Sequence, residues 1–576
     1  VDGANIGTIY GGGDRANTTT SNVSINKTQN EIANVFGGGN AASVVDSNVI
    51  VKAGMIGNVY GGSNMSGDVT NSNIDILKEN ITNDSSVSAN VTWVAADTES
   101  WQSTTYPTIA QVTVTLSNNT ESSLDVWDLV MNIPNSSIYS NYSNSDIVSQ
   151  NGIYLVNQVN RYYGVNQIAS GGSYSFNFEV LSMSSKEDFD ISYVFTSGDY
   201  RYEKAQSITI TNVYGGNNQG GKTTNVDINA TAGTITNVYG GGNEAITGLS
   251  KVYLEDVVVK NEVYGGGNQA ALEGSTNVDI INSSIKGNVF GGGNAGSVAG
   301  NTDLYVSDSS VLGSVYAGGN GVTAVVVGNT LLNVDGTTTV SRHVFGGGNA
   351  AATGIESVNN SASVVNIAGA TILGNVYGGA NTSVLYGTTN LNIGYETIGN
   401  TSLKKNNIVI KGTVFGGGEA DASGSENYDY SFISVTRGIT ININGLGHTT
   451  FDLSGSIFGS GNASSTTGYS YINIDNYGTD TDYKNNISIQ RANIVTISNS
   501  HIELAGATDR TNEYSTTLFT LSRIDHLKLK NNSTLYLQTG ANLLKNYSSL
   551  VDINGSEVVA SVIIDAEGGT INKNVN

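Results

Sequence analysis

One phrase recurs along this chain: a valine, an aromatic ring, three glycines and an asparagine. It stands intact at Val35–Asn40, Val238–Asn243, Val263–Asn268, Val289–Asn294 and Val344–Asn349. Looser copies lie around Tyr10, Tyr60, Tyr214, Tyr316, Tyr377, Phe415 and Phe458. Where the series is uninterrupted, neighbouring rings sit 24 to 29 residues apart, widening to 32, 38 and 43 toward Phe458. A period near 25 is too short for a domain. A unit of that length buries its apolar side only against a neighbouring copy, so the chain reads as a stack of coils.

Between the phrases run short alternating segments such as Asn225–Ile228 and Asn277–Ile280. Alternation with period two is strand. No apolar stripe at helical spacing lasts a dozen residues, so almost no helix is expected. The fold class expected is all-β: a right-handed parallel β-solenoid carrying an inserted antiparallel β-sandwich. About 16 coils at a spacing of about 4.8 Å would make a rod roughly 75 to 80 Å long.

The corners are assigned to Gly37, Gly38, Gly39 and Asn40; Gly240, Gly241, Gly242 and Asn243; Gly265, Gly266, Gly267 and Asn268; Gly291, Gly292, Gly293 and Asn294; and Gly346, Gly347, Gly348 and Asn349. Glycine suits a sharp corner through positive φ and through the room it leaves for the next coil's backbone. Asparagine tolerates the left-handed region and, aligned, can stack its amides into a ladder. Phe and Tyr interchange within the phrase, so the ring matters for packing and a sugar-binding stripe is the weaker reading.

Composition narrows the functional classes. Only 13% of the 576 residues are charged, about half the usual share, and the net charge is −23. That balance repels nucleic acid and anionic membranes. With no cysteine, neither disulfides nor thiolate metal sites form. No 18-residue apolar run occurs, so membrane insertion is not expected. The chain opens and closes inside the repeat pattern. The expectation drawn from this is end-to-end self-association, one chain's last coil seated on the next chain's first, as a filament; the rival reading is that the chain is part of a longer surface protein.

The 154 residues from Tyr60 to Tyr214 lose the phrase. The organisation expected is a first solenoid part at 1–83, an insertion at 84–204 and a second solenoid part at 205–576. The flanks Asn73–Ile76 and Ser207–Ile210 would complete one coil if joined. Inside the insertion, strands at Gln111–Leu116, Trp127–Ile133, Ile153–Val159 and Tyr174–Val180 suggest a sandwich.

Two resemblances follow from these residues. The run Leu527–Ala541 resembles coils of pectin-lyase-like right-handed β-helices and bacterial surface adhesins, and the glycine phrase looks like repeats of adhesin-like microbial surface proteins. Within the insertion, Trp101, Ala110–Asn118, Trp127–Pro134 and Ile168–Phe176 are similar, in that order, to family 2 carbohydrate-binding modules. That resemblance implies an exposed aromatic strip for a polysaccharide, falling on Trp101, Tyr142 and either Tyr162 or Tyr163, with Trp127 in the core. The family's common disulfide cannot form here, and Tyr replaces Trp at two strip positions.

Other patterns carry less. Gly216–Thr223 fits a phosphate-binding loop, but strand-like text follows it where a helix is needed. The acidic pairs Asp480/Asp482 and Glu419/Asp421 read as solvated loops rather than paired catalytic carboxylates. His343, His448, His501 and His526 show no metal-ligand spacing. No cofactor is expected, although acidic corners could hold a structural Ca²⁺. The glycosylation sequons, among them Asn17, Asn22, Asn118 and Asn282, are near the number chance would give. The function expected is a non-enzymatic, extracellular or cell-surface structural or adhesive protein. The alternatives are a carbohydrate-binding adhesin and a polysaccharide lyase or hydrolase.

Overall fold

The computed structural model describes residues 1–79, 81–141, 147–150, 152–157, 159–160, 164–186, 189–398, 401–420, 432–479, 481–482, 484–486, 488–504, 521–531, 533–537, 563–565 and 570–573. Among them every regular element is a β-strand. A set of 34 strands belongs to one hydrogen-bonded parallel system wound as a solenoid.

The coil beginning at Thr276 shows the plan. A long strand, Thr276–Ile281, turns at Asn282 (φ 47°) into the two-residue strand Ser284–Ile285, then into Val289–Phe290 and the glycine corner. Each segment pairs in parallel with its counterpart one coil on: Val278 with Leu304, Ile285 with Val311, Phe290 with Tyr316. A fourth side is closed by the bridges Leu272 to Val298 to Val326. Fourteen successive pairings link the long strands from Thr18–Ile25 to Ile563–Asp565, which makes fifteen coils among the described residues.

Alternation sets the core. In Thr276–Ile281 every second residue is buried, and the inward valines, leucines and isoleucines form one column from Val23 to Leu529. No coil could hide that face alone; each is roofed by the next.

The insertion does not interrupt the stack. Gly54–Tyr60 pairs with Ile208–Tyr214, and Val69–Ile76 pairs with Lys222–Ala230, in the register any two consecutive coils use. The chain leaves the solenoid after Ile76 and returns at Ile208, where the following coil turns through Thr231 to Gly233; Thr231 N–H donates to Ile76 O at 2.8 Å.

The inserted strands form two antiparallel sheets. One orders Ser136–Asn141, Ser173–Ser182, Thr108–Asn118 and Val87–Asp97; the other orders Ile147–Gln150, Ile153–Asn157, Asp128–Asn132, Ser192–Ser197 and Tyr200–Lys204. Val112 and Phe178 from the first and Leu129 and Phe195 from the second share one core, so the sheets pack face to face as a sandwich. The sandwich is also moored to the solenoid. Asn132 donates its side-chain amide to Thr28 O at 3.1 Å, and Thr28 N–H donates to the Gln206 side chain at 3.1 Å.

One expectation is corrected. The corner glycines at 37–39, 240–242, 265–267, 291–293 and 346–348, and the asparagines after them, do not adopt positive φ. Where a positive-φ residue occurs at the corner it follows the asparagine, at Gly321, Ala350, Thr382 and Ala463. The reason is that the corner stays inside the parallel ladder: Gly265 N–H donates to Phe290 O at 2.9 Å and Gly266 N–H to Gly292 O at 3.0 Å. What glycine supplies is close approach. A β-carbon on Gly265 would lie 2.2 Å from Gly291 O.

Candidate functional site

The glycine phrase builds a column of rings. From Tyr10 through Phe36, Tyr60, Tyr214, Tyr239 and Tyr264 to Phe458, each ring stacks on the next with centroids 4.5 to 5.2 Å apart and planes within 13°. Past Tyr10 the rings are 0 to 9% exposed, which leaves no open aromatic face for a sugar. The hydroxyls are not idle everywhere: Tyr264 donates to Glu262 and Tyr377 to Glu419.

Asparagine ladders flank the rings on both sides. Asn268 donates to Asn243, Asn294 to Asn268, Asn320 to Asn294 and Asn349 to Asn320, at 2.8 to 2.9 Å. A second ladder runs Asn58 to Asn34, Asn212 to Asn58 and Asn237 to Asn212 at 2.9 to 3.0 Å. Glu419 occupies a place in the first ladder and accepts from Asn462 at 2.7 Å, so it is part of the stack and not of a solvated loop. Its proposed companion Asp421, like Asp480, lies outside the described residues; Asp482 pairs with Lys484 at the surface.

Sequence reasoning missed a third column, inside the coils. The hydroxyls of Thr276, Thr302, Thr330 and Thr389 donate across the interior to corner carbonyls at Gly291, Ala317, Gly346 and Gly416, at 2.6 to 2.7 Å. The signal was present as a Ser or Thr recurring at one register position of the long strands from Ser21 to Thr389, with Val226 the exception.

Of the strip positions taken from the family resemblance, Trp101 is 75% exposed on the sandwich. Its loop is braced: Glu99 N–H donates to the Gln102 side chain at 2.7 Å, and Thr98 hydroxyl donates to Tyr106 O at 2.6 Å. Tyr142, Tyr162 and Tyr163 lie outside the described residues, so no strip geometry joins them to Trp101. Trp127 is 1% exposed in the sandwich core, and its indole N–H donates to Asn166 O at 2.7 Å.

The outer face of the long strands carries a groove of about 520 Å³ that includes Asp227, Lys251 and Tyr253. Asp279 and Asp303 follow on the next two coils as diagonal neighbours, since Asp279 is in register with Tyr305 and Asp303 with Asn277. Burial raises both carboxyls above their ordinary range; Lys251 partly offsets this at Asp279, and the charge of Asp279 adds to it at Asp303. A search for acids adjacent in sequence passes over this pair, which is 24 residues apart. Among the described residues no group of three or more His, Asp or Glu is placed to hold a metal.

The remaining motifs resolve into architecture. The loop at 216–223 leads into the strand Lys222–Ala230, and Lys222 pairs with Glu273. Asn118 is fully buried and donates to Ser122, Ile168 and Ala169 carbonyls, so that sequon is closed to modification in the folded chain. His343 accepts from Asn375 N–H at 2.9 Å, and burial lowers its pKa. Among the described residues no helix is long and apolar enough to cross a membrane. No family model matches the chain, and no curated protein is significantly similar to it.

Proposed function

We propose that this chain is an extracellular structural or adhesive protein: a stiff rod that displays a lateral sandwich. The observation that carries this reading is the use to which its repeated side chains are put. Rings and amides are taken up by the neighbouring coil and interior hydroxyls by the corner of their own coil, and the column bridges the 154-residue separation between Tyr60 and Tyr214 with the rings still 4.9 Å apart. Side chains committed to one another along an axis serve stiffness. Negative-stain imaging of the purified chain tests it. Straight rods with one lateral knob are expected, roughly 70 Å long for fifteen coils at about 4.8 Å, and collapsed or flexible particles would refute it. End-to-end joining belongs to this proposal and predicts particles at multiples of that length as concentration rises; unit-length rods at every concentration would remove it.

A second reading, in which the sandwich docks on polysaccharide, is favoured by the exposure of Trp101 on a braced loop. A rigid ring held in solvent offers large apolar contact at low entropic cost. Pull-down on insoluble glucans is expected to retain the chain and to lose Trp101→Ala by about tenfold, the scale of one stacking contact. No retention of the intact chain on any glucan would reject this reading.

A further inference from the structure

Coils in a solenoid normally touch only their nearest neighbours. The segment 403–407, which leads from the excursion after Gly387–Ile393 into the short strand Ile408–Ile410, does otherwise. Lys404 N–H donates to Asp335 at 2.7 Å, its ammonium to Asp308 at 2.8 Å, and its carbonyl accepts from Gly336 N–H at 3.1 Å. Asn406 N–H donates to Ala368 O at 3.1 Å. On the other side, the His448 ring nitrogens lie 2.7 Å from Asn406 O and 3.0 Å from Gly394 O, and Asn407 accepts from Thr450 N–H at 3.1 Å. Asp308, Asp335, Ala368, the segment itself and His448 belong to five consecutive coils, whose long strands pair one after another.

We propose that residues 403–407 form an axial strap across five coils, latched at its C-terminal side by doubly protonated His448 and loosened when that ring loses a proton. Both partners of the ring are backbone carbonyl oxygens, which only accept, and an imidazole donates from both nitrogens only when it carries both protons. With one proton, one nitrogen turns a lone pair toward a carbonyl and that bond is gone. The opposite end does not switch in the same range: the bond from Lys404 holds the Asp308 carboxyl below its ordinary range, and Lys404 is held above its own. Imidazole is the side chain whose charge ordinarily changes between pH 5 and 8. The charged and titratable groups around the ring are Lys405, which reaches the Gly447 turn, its partner Glu396 at 3.8 Å, Tyr395, Asp452 on the adjoining short strand, and Tyr477, whose ring meets Phe451. Phe451 packs edge-on against the imidazole at 5.1 Å between centroids.

Hydrogen exchange on the full chain at pH 5.5 and 8.0, corrected for intrinsic rates, tests the latch. The amides of Gly336 and Asn406 are expected to exchange about tenfold more slowly at pH 5.5, the scale of one hydrogen bond to a charged donor. His448→Gln should hold both amides at the pH 8 rate throughout. Lys404→Met should speed exchange at both pH values while keeping the ratio between them. An unchanged ratio in His448→Gln, or no ratio in the native chain, overturns the proposal. Should His448→Gln not fold, NMR of ring-labelled histidine in the native chain decides, assigned with single substitutions at His343, His501 and His526. A His448 ring that keeps one protonation state while exchange at 403–407 changes with pH would equally overturn it.

Discussion

A β-carbon on Gly241 would meet the Cα and N of Gly267 at 2.8 Å, and neither is the yielding end of a side chain. The middle corner glycine is kept in every copy from Gly12 to Gly417, giving way only at Ser460, whereas the first position already carries Ala317 and the third Ser63, Asn217 and Ala380. Backbone of the adjacent coil stands over the middle position, and backbone cannot rotate away. Gly241→Ala is therefore expected to cost about 1 to 3 kcal/mol, the range for overpacking, and Gly265→Ala no less, because its β-carbon would meet the backbone oxygen of Gly291 at 2.2 Å. Chemical denaturation of the two variants checks this, and an undiminished stability in either would contradict the argument. That glycine was needed is legible in the sequence. Which property of glycine was needed is not, because the clash partner lies a whole coil away and the φ angles contradict the corner explanation.

The ladders are where elements cooperate. In every asparagine pair described, the later coil donates its amide to the earlier one, as Asn64 does to Asn40 and Asn473 to Asn442. Carboxylates, which cannot donate, begin such runs: Asp14 accepts from Asn40, Asp46 from Asn71, Asp75 from Asn229 and Glu262 from Asn288. Asn294→Asp would put an acceptor in mid-run, facing the Asn268 oxygen to which Asn294 now donates. The loss at pH 7 should be about 1 to 3 kcal/mol. Two acceptors face to face disfavour the charged form, so the variant's folded carboxyl sits above the unfolded value of about 3.9. Its stability should then rise toward the native chain's as pH falls through that folded value, seen as converging melting temperatures; a constant gap would refute it.

The ring column titrates at the other extreme. Burial, with the neighbouring Tyr214 adding to it, pushes Tyr60 and Tyr239 up to about 12. A phenol whose folded pKa exceeds the unfolded value of about 10 stabilises fully below pH 10, and that contribution drains away between pH 10 and 12. Absorbance at the phenolate band should show the column ionising only as the fold is lost, whereas exposed tyrosines titrate earlier. A Tyr60→Phe, Tyr239→Phe double variant should resist alkali better than the native chain.

At the scale of the molecule, the sandwich hangs from a stack that closes without it. Replacing 77–207 by the Thr231–Gly233 turn should leave a folded solenoid with the same far-ultraviolet dichroism, because Val59 and Val213 already pair across the gap. The expected loss is about 1 to 2 kcal/mol near Thr28, whose backbone N–H and carbonyl now bond to Gln206 and Asn132. An unfolded product would mean that the sandwich organises the rod rather than decorating it.

The sequence by itself determined the period, the strand character and the packing role of the rings. All of these are patterns repeated within about 25 residues, where each copy reports on the others. Tertiary structure alone decided which glycine property matters, that Ser and Thr hydroxyls span the coil interior, that Asp279 and Asp303 meet on one face, and that His448 closes a strap over five coils. Those depend on contacts across the coil interior or between coils, and winding and stacking bring together residues whose separation in sequence gives no sign of it.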